Sequence, residues 1–259
     1  MSTSSTLLFQ RLQSLQLTRT KPDTLHPWEQ HYVDEVGEED AESGRIEFMQ
    51  DKGFYPYFLN GLHSDLTVRD ANGREWKVHK LIVTKGCDFF VRALKGGFKE
   101  SRTNVIEMPN DPPSAVKAML DLLYSEDYAV ITPTRNIRTL KFHLDVWITA
   151  VIYDMAGLQE MAYRRFVRLW MSGGCPRFIL PLLAERIYDC TMESDEWMRV
   201  FVANMSAVHL PGLLLQDDFR QVMADSSEFS ADVARALARL QDHAPFPCRD
   251  CKNHALESE

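Results

Sequence analysis

One hairpin constrains this chain more than any other stretch, because only one register keeps charge off its buried face. Leu66 and Val68 alternate with Thr67 and Arg69, and Trp76 and Val78 alternate with Glu75, Lys77 and His79. That is the period-2 pattern of two half-buried strands. Asn72-Gly73 invites a two-residue turn, but that turn pairs Val68 with Lys77 and points an ammonium at the core. A three-residue loop, Ala71-Asn72-Gly73 with Gly73 at positive φ, pairs Val68 with Trp76 and Leu66 with Val78 instead. It also sets Asp70 opposite Arg74 and Arg69 opposite Glu75, both on the solvent side.

Short helical signals follow. Leu81-Ile82-Val83 opens a helix that Lys85-Gly86 ends, and Phe89, Phe90 and Leu94 share one face of a second helix stopped by Gly96-Gly97. Val105 to Met108 reads as a strand closed by Pro109. Asp111 is expected to cap the next helix, with Pro112 at its first position and Val116, Met119, Leu120 and Leu123 as its buried stripe. Tyr128 to Ile131 is a candidate further strand. Leu144, Ile148, Val151, Ile152 and Met155, then Leu158, Met161, Ala162, Phe166 and Leu169, give two amphipathic helices with Gly157 between them. Few strands among many helices make an α+β module.

Several ordered landmarks in this stretch resemble those of a BTB/POZ domain. They are Ser64-Asp65-Leu66-Thr67-Val68, Val78-His79-Lys80, Asp88-Phe89-Phe90, Phe98-Lys99-Glu100-Ser101 and Leu122-Leu123-Tyr124. Ala150, Tyr153, Leu158, Ala162 and Phe166 fall where that family has its paired "ADKY…L…A…F" helices, although Val151-Ile152 replaces the Asp-Lys. The layout is similar to that of the short BTB proteins of filamentous fungi. The resemblance implies a BTB/POZ fold, a small sheet with helical hairpins, over residues 46–172. A flexible tail at 1–45 precedes it, an all-helical extension at 173–242 follows, and a tail occupies 243–259.

The resemblance also implies site residues. Asp65 and Lys80 match an acid–base pair that family transcription factors bury at a dimer seam. Phe54, Tyr57 and Phe98 are the accompanying candidate partner contacts. The implied partners are a second copy of the chain or other BTB chains. Some members of the family dock on cullin scaffolds of ubiquitin ligases, and others recruit corepressors. The competing enzymatic reading makes His79 and Asp65 an acid–base pair. No nucleophile elbow, P-loop, dinucleotide fingerprint or metalloprotease helix accompanies them, so a binding module that is not an enzyme is the expectation.

The net charge of −8 argues against a partner held by phosphate neutralisation, so no nucleic acid is expected. Arg164, Arg165 and Arg168 are expected on the wet side of their helix. Five cysteines, an odd number, favour a reducing compartment, cytoplasm or nucleus. No apolar run is long enough to span a bilayer, and no membrane partner is expected. Residues 1–22 hold Arg11, Arg19 and Lys21, no acid, and Leu8, Leu12 and Leu15 on one helical face. That composition suits a mitochondrial transit segment or an unanchored tail. Asp34, Glu35, Glu38, Glu39, Asp40 and Glu42 then read as a mobile acidic linker.

Beyond Arg177 the pattern is helical. Leu182, Leu183 and Ile187 form one stripe, and Trp197, Met198, Phe201, Val202 and Met205 a second, with Ser194 as cap. Leu215, Phe219, Val222 and Met223 form a third, and Phe229, Val233, Leu237 and Leu240 a fourth. His243, Cys248, Cys251 and His254 then make H-x4-C-x2-C-x2-H, whose two thiolates and two imidazoles are a candidate zinc site. No other cofactor is expected.

Overall fold

The computed structural model describes residues 53–129, 137–174, 179–191 and 196–243, which divide into two compact units on either side of Pro176. In the first unit a helix, α1 (Tyr55–Asn60), leads into β1 (Leu66–Asp70) and β2 (Glu75–Val78). Helices α2 (Lys80–Gly86), α3 (Asp88–Leu94) and α4 (Lys99–Thr103) carry the chain across to β3 (Val105–Met108). Then come α5 (Pro113–Ser125), α6 (Ile137–Ile152) and α7 (Ala156–Leu169), the last running into a π-helical turn at Trp170–Gly174. The sheet order is β2-β1-β3, with β3 parallel to β1. The fold is α+β, a small sheet with helical hairpins, and the second unit is wholly helical in its described residues.

The hairpin register is the one its side chains require. Leu66 pairs with Val78 and Val68 with Trp76, and Gly73 sits at φ 76°, where a side chain would strain the loop. One expectation fails here. Asp70 is buried at 4% exposure rather than wet, because it shares the parity of Leu66 and Val68. Its carboxylate is satisfied in place by the Asn72 and Arg74 amides, at 2.9 and 3.0 Å, and by the Trp76 indole N–H at 3.3 Å. The opposite face does carry solvated charge, with Arg69 bridging Glu75 and Glu107 across three strands.

Three further expectations are corrected. Asp111 does not cap α5. Its carboxylate accepts the Tyr153 hydroxyl at 2.7 Å, and the helix starts at Pro113 after an extended Pro112. Gly157 lies inside α7, and the α6–α7 break falls at Tyr153 to Met155, where Asp154 takes φ 54°. Tyr128 and Ala129 form no strand, while 130 and 131 lie outside the described residues.

Packing explains why α6 tolerates so many apolar positions. It lies between α5 and α7, and Leu140, Leu144 and Trp147 are sealed from solvent, although Ile152, expected in its stripe, is 58% exposed. Nor is Arg165 on a wet face. It is buried, bonded to Asp127 at 2.5 Å and to the Tyr128 carbonyl at 2.6 Å, with its guanidinium 4.0 Å from the centre of the Tyr128 ring. Arg164 does face solvent and pairs with Glu160.

In the second unit, α8 (Leu180–Cys190), α9 (Glu196–Val208), the short α10 (Leu210–Leu213), α11 (Asp217–Asp225) and α12 (Ser227–His243) share a core of Met198, Phe201, Phe219, Phe229 and Val233. Arg199 is buried among them. Its Nε bonds the Thr191 hydroxyl at 2.8 Å, its Nη1 pairs with Glu228 at 2.6 Å, and its guanidinium lies 4.5 Å over the Tyr188 ring. Leu215, expected in a helical stripe, precedes α11 and is 82% exposed. Ser194, Cys248, Cys251 and His254 lie outside the described residues, as does the 1–45 tail, and of His243 only the backbone is described.

Candidate interaction surface

The surface is built on α1, which has too few residues to hold itself as a helix and depends on the rings it buries. Phe58 lies between Trp76 and Tyr124, ring centres 5.9 and 4.8 Å away and both pairs nearly parallel. Tyr55, also buried, donates its hydroxyl to Asp121 at 3.0 Å. Tyr57 and Leu59 on the same short helix, and Phe54 just ahead of it, are therefore turned outward, at 41%, 59% and 60% exposure.

Asp121 has no solvent access and receives the Lys117 ammonium at 2.5 Å as well as Tyr55. Burial raises its pKa against the opposing pull of Lys117. A raised carboxyl favours the fold in its protonated form, and that contribution is lost as pH rises through the folded-state value. Asp121→Asn, which keeps an acceptor for Tyr55, is therefore expected to be no less stable than wild type at pH 7. Asp121→Leu strands the tyrosine hydroxyl and should lose about 1–3 kcal/mol in urea unfolding.

At the start of α2, His79 is fixed at three points. Its backbone N–H donates to the Tyr124 hydroxyl at 2.7 Å, its Nε2 lies 2.7 Å from the Leu62 carbonyl, and its Nδ1 lies 2.8 Å from the Tyr124 hydroxyl. A carbonyl can only accept, so Nε2 carries the proton and Nδ1 accepts from Tyr124. Burial pushes the Tyr124 phenol up to about 12, which keeps its proton available for that bond. The Asp65 Oδ1 accepts the Lys80 amide at 2.8 Å. Asp65 thus meets the backbone of Lys80 at the start of α2, rather than the ammonium that a charge pair requires. No hydrogen bond joins Asp65 to His79, and both imidazole nitrogens are engaged within the chain, so the acid–base pair is not assembled.

Around these residues opens a cavity of about 1250 Å³ lined by α1, the start of α2, the end of α5 and the α6–α7 turn. Phe54, Tyr57, Asp65, His79 and Leu81 border it, whereas Lys80 and Phe98 do not. Phe98 stands apart at 63% exposure ahead of α4, after two glycines at positive φ. The floor comes from Leu122, Leu123, Met155 and Leu158. Leu123, expected in the buried stripe of α5, is only half-buried for this reason. Gly86 lets α2 approach α5 here, since a Cβ at that position would lie 2.4 Å from the Leu123 Cδ2. Sequence reasoning missed the cavity, since the helical period places Leu123 in the buried stripe and leaves only Leu122 off it.

Residues 54–162 match the family model of the BTB/POZ domain. This chain carries a BTB/POZ domain. Over 80 residues it is 31% identical to the human (Homo sapiens) and mouse (Mus musculus) proteins named kelch-like protein 11, a match that covers 28% of this chain and 11% of each relative. The solved BTB domain of zebrafish PATZ1 is similar at 15% identity and a TM-score of 0.34, over 49% of this chain and 93% of that one. The BTB/POZ domain is a protein-interaction fold, and the matched span includes α1, the hairpin and all of the cavity lining except Gly53. Among the described residues no helix is long and apolar enough to cross a membrane.

Proposed function

We propose that the chain is a protein–protein interaction module that self-associates, or pairs with other BTB chains, through the α1–α2 face of its BTB/POZ domain. It acts by holding other polypeptides and not by catalysis. The observation that carries this reading is the run of exposed apolar side chains along that face, with Phe54 60%, Leu62 52% and Leu81 81% accessible beside an open apolar cavity. Apolar surface of that kind is a docking surface more often than a tolerated accident. The odd number of cysteines supports a role in a reducing compartment, cytoplasm or nucleus.

Within that role, the chain serves as an adaptor that joins a bound protein to a cullin scaffold of a ubiquitin ligase, with Phe98 as the cullin contact. Mass in solution over a dilution series tests the first part. Wild type should pass from dimer to monomer, and Leu81→Asp should weaken the dimer at least about 100-fold, because the substitution removes a buried leucine from both protomers. A monomer at every concentration sinks the self-association. Retention of a cullin amino-terminal domain on immobilised chain, lost in Phe98→Ala, tests the second. If wild type retains none, the chain is a dimerising scaffold or transcription-associated regulator without a ligase role.

A further inference from the structure

The cavity beside α1 has a net-negative rim over an apolar floor. Asp65, Glu126 and Asp154 stand exposed at its rim against one exposed ammonium, Lys85. Some exposed acids elsewhere are neutralised in place, as Glu75 is by Arg69 and Lys77, Glu160 by Arg164 and Asp217 by Arg220, while Asp88 and Asp218 are not. Among the described residues these three rim carboxylates form no ion pair. The backbone adds a second observation. Glu126 is the left-handed residue that ends α5, and Asp154 takes φ 54° in the α6–α7 break, so two of the carboxylates are set at the rim by where those helices stop. The volume, about 1250 Å³, also exceeds the roughly 300–1,000 Å³ of most small-molecule sites.

We infer that this groove receives a basic amphipathic segment of a different polypeptide, apolar side chains on the leucine and methionine floor and lysine or arginine against the acidic rim. The inference rests on the interaction reading above and names the partner's chemistry. A second copy is the poorer occupant. An isologous contact presents the same patch from both sides, so it brings two net-negative rims together, whereas a basic segment neutralises one. Both occupants use Phe54, Tyr57 and Leu81, so the basic segment should compete with self-association.

The test uses the full chain and two labelled 14-residue helical peptides of identical leucine pattern, one with lysines and one with glutamates on the polar face. Binding is read by fluorescence anisotropy at a chain concentration low enough to be monomeric. The lysine peptide should bind at least tenfold more tightly than the glutamate peptide and lose affinity as salt rises. Glu126→Lys/Asp154→Lys, both exposed and outside the core, should erase the preference, and Leu81→Asp should weaken both peptides. At higher chain concentration the lysine peptide should shift the mass from dimer to monomer. Equal binding of the two peptides, or a preference unchanged by the double reversal, overturns the inference while leaving self-association standing. A dimer that the bound peptide does not disturb overturns the competition. A chain that is monomeric throughout yet prefers the lysine peptide keeps the groove assignment and removes only the dimer.

Discussion

Replacing Arg165 with methionine should lower the stability of the BTB/POZ unit by about 3–5 kcal/mol, the range for removing one partner of a buried ion pair. Methionine fills much of the volume but cannot replace the contacts to Asp127, at 2.5 Å, and to the Tyr128 carbonyl. Asp127 is only 16% exposed, so its charge would lose the guanidinium without gaining full hydration. The cation over the Tyr128 ring is lost as well, a contact worth about 0.5–2 kcal/mol depending on burial. Arg165→Met/Asp127→Asn should recover part of the loss by removing the stranded charge, whereas Arg164→Met, on the solvent face, should cost less than about 1 kcal/mol. Urea unfolding midpoints decide the matter. A loss under about 1 kcal/mol for Arg165→Met would mean that solvent already screens the pair.

Arg165 also shows what the amino-acid pattern conceals. Its charge suggests the wet face, yet its helical phase does not. It lies three residues after Ala162 and seven after Leu158, both buried, and should have been read with them. Asp70 is the same case in a strand, in phase with Leu66 and Val68 and buried as they are. Where side-chain type and period agree, as in Leu66, Val68, Trp76 and Val78, the register follows directly. Where they conflict, the period decides, provided that local donors can satisfy the polar group. Gly157 failed for another reason, since a glycine near a helix start is compatible with the helix and the break needed only Asp154 in a left-handed conformation.

The candidate site was legible to a smaller degree. Phe54, Tyr57 and Asp65 do gather at one groove, but Lys80 meets Asp65 through its backbone and Phe98 stands elsewhere. Spacing cannot distinguish a helix amide from an ammonium as the partner of a carboxylate. The acidic rim draws Glu126 and Asp154 from two helix ends far apart in sequence, which only tertiary structure could bring together.

Phe58→Ala should be the other large loss, about 3–5 kcal/mol, and it should act on the interaction surface as well as on stability. The ring is 7% exposed and fills the space between Trp76 and Tyr124. Truncation leaves a cavity and removes two ring contacts, each worth about 0.5–1.5 kcal/mol beyond burial. What remains to hold α1 is the buried Tyr55 with its bond to Asp121 and the edge contact of Tyr57 on His79, both within a single helical turn. The six-residue helix should then open locally before the unit unfolds. Amide exchange at Phe58 to Gly61 should accelerate at least tenfold in conditions where the sheet amides remain protected. Because α1 carries Phe54 and Tyr57 to the groove, self-association and lysine-peptide binding should weaken together. Phe58→Leu keeps most of the volume and should lose less than half as much. Unchanged α1 exchange in Phe58→Ala would show that the helix is held by something other than this stack, and the groove's geometry would have to be explained without it.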